Sequence, residues 1–209
     1  MMTAQEIYDR LRAAYGQPRW WSDDPYTVMV QAILVQNTAW SSVEKVTAEL
    51  ADHLTPESVL GLKTEELESL IRPCGFCRGK AAAIRRLTEW YGRYGYDAET
   101  VGTVGQEELR DELLAVKGVG AETADVILVY AFHLPSFVID AYTRRFLTRL
   151  GFDFRSDGAR RAFFEAGLAR DHRLYGWYHW LILEHGISRC RKTPLCGGCP
   201  LEKECKKAL

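Results

Sequence analysis

Apolar residues recur along this chain mostly at spacings of three and four, the period of an amphipathic helix. Thr3 with Glu6 makes a capping-box signature ahead of an Ile7, Leu11, Ala14 face. Asp24-Pro25 pairs a capping carboxylate with a first-turn proline before the apolar run Val28 to Val35. Thr55-Pro56-Glu57 and Thr64-Glu65-Glu66 start two short helices, and the pattern continues over Ala81 to Trp90, Leu109 to Ala115 and Glu122 to Phe132. Asp140 to Leu150, Asp157 to Leu168 and Asp171 to His185 complete the series. Strict alternation is scarce, so the pattern predicts an all-α protein with short Gly/Pro connections. No repeat of fixed period and no low-complexity segment interrupts it.

A length of 209 residues suits one domain or two interlocked lobes, and 47% hydrophobic residues suffice for a core. No apolar run approaches the roughly 18 residues of a membrane span. The start, Met1-Met2-Thr3-Ala4-Gln5-Glu6, lacks the basic flank and apolar stretch of a secretory signal. A cytoplasmic protein with no membrane partner is expected. The net charge of −1 hides an asymmetry: residues 1–139 carry 13 Lys/Arg against 20 Asp/Glu, and residues 140–209 carry 14 against 8. A basic half can hold a phosphate-binding face, although uneven charge is more often solvated surface.

The tail departs from the helical pattern. It reads Cys190-x5-Cys196-x2-Cys199-x5-Cys205, rich in Lys and Gly and too short for a core of its own. Four thiolates around a Cys-Gly-Gly-Cys turn can wrap one metal centre, which would supply the folding energy the segment lacks. Zinc sites of four cysteines usually pair two Cys-x-x-Cys knuckles, and the tail has one; a [4Fe–4S] cluster also takes four cysteines and tolerates irregular spacing. The spacing leaves both open. Cys74 and Cys77 form a second Cys-x-x-Cys, but no βαβ pattern surrounds it, so buried small hydrophobes are expected there rather than a redox dithiol.

Between two helical stretches lies Val116-Lys117-Gly118-Val119-Gly120-Ala121-Glu122-Thr123-Ala124. A Gly-x-Gly turn opening a helix presents backbone N–H groups to an anion, although any αα-hairpin could use one. Twenty residues past Gly120, the apolar Phe137-Val138-Ile139 ends in Asp140. That aspartate reads as an N-cap, and also as a carboxylate kept ionised by a helix N-terminus.

Together, Gly118-Val119-Gly120-x-x-Thr123-Ala124, Val138-Ile139-Asp140 and the four-cysteine tail resemble the helix-hairpin-helix DNA glycosylases of the endonuclease III type. Leu34-Val35-Gln36-Asn37-Thr38 and Gly75-Phe76-x-x-x-Lys80-Ala81 extend the resemblance over nearly the whole chain. It implies two helical lobes, residues 24–133 as a helical barrel with the hairpin and residues 1–23 plus 134–209 as the second, separated by a cleft. It implies a [4Fe–4S] cluster on Cys190, Cys196, Cys199 and Cys205, although the first spacer is five residues here where six is usual. The expected partner is DNA containing damaged bases, bound by a monomer, with Asp140 catalytic and the protein associated with the nucleoid.

The departures narrow the expectation. Strand-cutting members carry a lysine two residues after the second hairpin glycine; here Glu122 stands there, which implies a monofunctional enzyme. Adenine-excising members place a glutamate four residues before the Gln of Gln-x-Thr; here it is Ala32. Trp20-Trp21, Trp40 after Gln-Asn-Thr, and Gly-x-Glu-Thr-Ala-Asp resemble the 3-methyladenine DNA glycosylase III branch. Its substrates are cationic N-alkylated purines such as 3-methyladenine and 7-methylguanine, which stack favourably on indole. By the same resemblance Trp20, Trp21, Trp40 and Glu122 line the base pocket, Gln36 fills the gap left by the flipped nucleotide, and Phe76 is the apolar wedge. Asn37, Lys80, Gly118, Val119, Gly120, Thr123, Tyr142 and Arg144, with Arg145, are the remaining expected DNA contacts. A glycosylase for uracil, mismatched thymine or oxidised pyrimidines, a non-catalytic lesion binder and a cluster-based redox sensor are the rival readings.

Overall fold

The computed structural model describes residues 1–207, all of them helix, turn or loop with no strand. None of the described helices is long and apolar enough to cross a membrane. The chain divides into two compact units, Trp21–Leu134 and Met1–Trp20 with Pro135–Leu209.

The Trp21–Leu134 unit is built around α2 (Pro25–Leu34), capped by Asp24, whose Oδ2 accepts from Thr27 N. Eight of its ten residues are buried, so this helix has no polar face and must be surrounded. Around it come α3 (Trp40–Glu49), α4 (Pro56–Gly61), α5 (Thr64–Leu70), α6 (Cys77–Gly92), α7 (Ala98–Gly102), α8 (Gln106–Ala115) and α9 (Ala121–Val126). The single polar residue of α2's buried set, Gln31, is satisfied: its Oε1 accepts from Trp21 Nε1 at 2.6 Å and its Nε2 donates to Thr47 Oγ1 at 3.1 Å. The run Glu122 to Phe132 is not one α-helix. After Val126 the chain widens into a π turn over Ile127–Ala131, closed by Phe132 N on Ile127 O. All five of its residues are buried against α2 and neighbours, so packing on every side overrides the 3.6-residue repeat.

The second unit holds α1 (Ala4–Tyr15), α10 (Ala141–Leu150), α11 (Asp157–Gly167) and α12 (His172–Ser188). The Thr3–Glu6 capping box forms in full. Aromatic rings make this core: Phe137 and Phe164 stack at 3.8 Å, and Tyr178 meets both edge-on. The buried Tyr178 hydroxyl donates to Ala4 O at 2.9 Å, tying α12 to α1. Asp157 does not cap α11; Ser156 does, and Asp157 instead pairs with Arg144 and Arg160.

Candidate DNA-repair site

The hairpin runs from Val116 after α8 to Gly120, the N-cap of α9. Gly118 has φ +107°, and a Cβ there would sit 2.5 Å from the Ala83 Cβ on α6, so only glycine fits. Gly118 and Gly120 are exposed. Two other residues expected to meet DNA are turned inward. Val119 buries its side chain, and its N–H donates to Val116 O at 2.9 Å. Thr123 is buried, and its Oγ1 accepts from Gln36 Nε2 at 2.9 Å. A tight turn between packed helices needs an apolar plug and a satisfied hydroxyl to close it, which leaves the glycines facing solvent.

Gln36 also donates to Gly118 O at 3.1 Å, so the residue expected to fill a DNA gap braces the hairpin in this structure. Asn37 follows, exposed, in left-handed backbone with φ +52°. Thr38 Oγ1 donates to Cys74 O at 2.6 Å, which joins this loop to the turn before Phe76. Phe76 is left-handed too, φ +48°, with its ring 77% exposed. A large aromatic side chain therefore stands in solvent on a backbone conformation that bulky residues rarely adopt.

Lys80 corrects the sequence reading. Far from meeting phosphate, it is 4% exposed, and its Nζ donates to Leu34 O, Thr38 Oγ1 and Cys74 O at 2.7–2.8 Å. Burial lowers its pKa, opposed by the Cys74 sulfur. Of the Cys-x-x-Cys pair, Cys74 is buried and Cys77 half-buried on the first turn of α6.

The structure brings Trp21 and Trp40 into edge-on contact at 5.2 Å, and Trp21 meets Tyr130 at the same distance. Trp40 remains 41% exposed. Tyr130 escaped the sequence reading because it lies in the apolar run of the π turn, remote from Trp21 in sequence. Trp20 belongs to the second unit, where its ring meets His172 edge-on at 5.9 Å. Glu122 is exposed on the first turn of α9.

Asp140 caps α10, its Oδ1 accepting from Thr143 N at 2.7 Å, while His179 Nε2 stands 3.6 Å from Oδ2. Asp140 is 6% exposed. Burial pushes its carboxyl upward, but His179 and the Thr143 N–H outweigh it and leave the pKa below the ordinary value. His179 carried no local sequence signal; it reaches Asp140 from α12. Tyr142 lies half-buried beneath the Arg145 guanidinium, 4.8 Å from ring centre, and close against Gly186, where a Cβ would come within 2.4 Å of it. Arg144 grips Asp157 and Ile139 O, and Arg145 Nε donates to Cys190 O, so both arginines have structural partners.

All four tail cysteines line one cavity of about 220 Å³. Among the described residues no three Cys, His, Asp or Glu side chains cluster closely enough for a single metal ion. Four thiols framing a space of that size fit a polynuclear cluster held at its corners. Backbone N–H groups of Leu201 and Lys207 point at the sulfurs of Cys199 and Cys205, at 3.5 and 3.4 Å, as they do toward ligating thiolates. Arg149, missed by the sequence reading, holds the loop: its guanidinium donates to the carbonyls of Cys190, Arg191 and Lys192 and to the Cys190 sulfur. His185, its pKa pushed down to about 4 by burial and the charge of Arg189, lies between the Tyr15 hydroxyl and the Cys199 sulfur.

The turn between α8 and α9, with its exposed glycines, is a helix-hairpin-helix element, and the other unit carries a buried, capped aspartate. Residues 30–166 match the HhH-GPD superfamily of base excision DNA repair proteins, and the chain belongs to that family. It is a base excision repair DNA glycosylase of the HhH-GPD type. It is 38% identical over 209 residues to the Methanocaldococcus jannaschii protein named "Putative DNA repair glycosylase MJ1434", covering 96% of this chain and 94% of the relative. Endonuclease III of Thermotoga maritima is 30% identical over 190 residues, 88% of this chain and 83% of the relative. Among solved structures, an endonuclease III–DNA covalent intermediate superposes with a TM-score of 0.82 at 26% identity, covering 100% and 98% of the two chains. The Helicobacter pylori 3-methyladenine DNA glycosylase MagIII, bound to 1,N6-ethenoadenine, gives 0.77 at 25% identity over 89% and 98%.

Proposed function

We propose that this protein is a monofunctional glycosylase that hydrolyses the N-glycosidic bond of cationic N-alkylated purines in DNA. The observation that carries the reading is the Trp21–Trp40–Tyr130 cluster, in which Trp40 keeps 41% of its surface exposed and so available to a flipped base. A cationic purine on an indole face gains about 2 kcal/mol or more once water is excluded. The positive charge also makes the base a ready leaving group, so no strong general acid is needed. The similarity to MagIII supports the same substrate class.

The hairpin glycines hold the phosphate chain through backbone N–H groups, Gln36 fills the gap left by the flipped nucleotide, and Phe76 is the apolar wedge that parts the neighbouring bases. Asp140, ionised, faces the sugar as positive charge develops on it and orients the attacking water. The base departs with the electron pair of the glycosidic bond and becomes neutral, a water oxygen bonds to the anomeric carbon, and that water gives up its proton to the Asp140 carboxylate and from there to solvent. With Glu122 in the hairpin instead of an amine, no covalent sugar intermediate forms, and the strand stays intact. Cys190, Cys196, Cys199 and Cys205 would hold a [4Fe–4S] cluster, which when bound supplies a rigid tetrathiolate anchor for the tail. The protein acts as a monomer on nucleoid DNA.

Base release from dimethyl-sulfate-treated DNA tests the reading, comparing wild type with Asp140→Asn and adding borohydride to a parallel sample. The expected result is methylated purine released by wild type only, with no trapped adduct. No release by cluster-loaded protein sinks the substrate class and favours uracil or oxidised pyrimidines. A borohydride-trapped adduct shows instead a lyase acting through another amine, as the endonuclease III relatives would suggest.

A further inference from the structure

Three exposed features of the Trp21–Leu134 unit, the hairpin glycines, Asn37 and Phe76, are joined beneath the surface by side-chain hydrogen bonds. Gln36 ties the hairpin to the loop that carries Asn37, through Gly118 O and Thr123 Oγ1. Thr38 ties that loop to the turn before Phe76 through Cys74 O. Lys80 closes the junction from below. An ammonium has three N–H donors, and three acceptors surround this one: Leu34 O at 2.8 Å, Thr38 Oγ1 at 2.7 Å and Cys74 O at 2.8 Å. Leu34 O belongs to the last residue of α2, a carbonyl the helix itself leaves without a partner. The end of α2, the loop before α3 and the turn before α6 therefore meet on one buried cation.

Both residues displayed by these loops are non-glycine and left-handed, Asn37 at φ +52° and Phe76 at φ +48°. Asparagine tolerates this region, whereas a bulky residue such as Phe76 persists there only where the surroundings over-determine it. The tethers fall one residue after Asn37, at Thr38, and two before Phe76, at Cys74. Hydrogen bonds to a charged donor are about twice as strong as neutral ones, and in a buried site water does not compete for them.

We propose that Lys80 is a positioning residue: its ammonium locks Asn37 and Phe76 in their left-handed, solvent-facing conformations before DNA arrives. Insertion into the duplex then requires no ordering of either loop, which lowers its cost. The proposal rests on the reading of Phe76 as the wedge. A lysine that only filled the core would contribute to stability without affecting how the duplex is opened.

The test uses the full cluster-loaded protein and a duplex with a tetrahydrofuran abasic analogue opposite 2-aminopurine. Fluorescence rises when the orphan base is unstacked, and no base excision is involved. Readings are taken at saturating protein, with affinity measured separately by anisotropy and folding by thermal melting. Phe76→Ala is expected to lose most of the rise. Lys80→Met and the milder Thr38→Val are expected to lower it roughly threefold or more at saturation, and Lys80→Met/Phe76→Ala to fall no lower than Phe76→Ala alone. If Lys80→Met does not fold, Lys80→Gln decides, because Thr38→Val also removes the direct Thr38–Cys74 bond. A wild-type rise from the folded Lys80 and Thr38 variants, with Phe76→Ala dark, overturns the positioning role and leaves the wedge standing. A wild-type rise from Phe76→Ala overturns the wedge reading and this proposal with it.

Discussion

Asp140 combines two functions that substitution can separate. As an N-cap it satisfies Thr143 N, and as a buried anion it faces His179. Asparagine caps about as well as aspartate, whereas alanine forfeits about 1 kcal/mol. Asp140→Asn is therefore expected to abolish base release, by roughly a hundredfold or more, while melting close to wild type. Asp140→Ala should lose activity and about 1 kcal/mol of stability, read by denaturant titration. Because the folded carboxyl titrates below its ordinary value, the anion survives into acid. The acid limb of kcat/KM should lie below the range of an ordinary aspartate. The same depression contributes stability that is present above the unfolded pKa and lost as pH falls through the folded one. An acid limb near neutrality would remove Asp140 as the titrating group. The cap was legible in the sequence because capping is settled within four residues. The burial of Lys80, Val119 and Thr123 was not, since nothing local to those residues records what packs over them.

At the scale of elements, the tail has little apolar interior of its own and is held by guanidinium groups, Arg149 foremost, with Arg145 on Cys190 O and Arg189 on Gly197 O. Arg149 reaches three successive carbonyls, Cys190 through Lys192, and the Cys190 sulfur. Arg149→Leu removes the donor to the Arg191 and Lys192 carbonyls and to the Cys190 sulfur, and purified protein is expected to contain less iron and to show weaker visible absorbance than wild type. Full iron occupancy in a folded Arg149→Leu protein would contradict this anchoring role. Several helix starts were readable from their caps, as with Asp24 and Asp140. The helix α3 was not, because its cap position holds Ala39, which makes no side-chain hydrogen bond. The π turn likewise has no local signature, being imposed by burial on all sides.

For the molecule as a whole, charge rather than shape sets the first encounter with DNA. The basic excess of residues 140–209 includes Arg191 and Lys192, both exposed on the cysteine loop. Affinity for duplex DNA should fall linearly on a log–log plot against salt, and each of these two side chains that meets phosphate adds about 1 to the slope. Arg191→Ala/Lys192→Ala should flatten the slope while leaving the preference among lesions unchanged. An unaltered slope would show that this loop does not touch the backbone.

By itself the sequence determined what depends on short range: the helical period, the capped starts, the glycine turn and the four cysteines in one short loop. Tertiary structure alone decided which side chains face inward and which distant ones meet. Trp21 finds Tyr130, Asp140 finds His179 and Lys80 gathers Leu34, Thr38 and Cys74 only once the helices have packed. The physical reason is that caps and turns are governed by bonds spanning a few residues, whereas burial and long-range pairing belong to the packed chain as a whole.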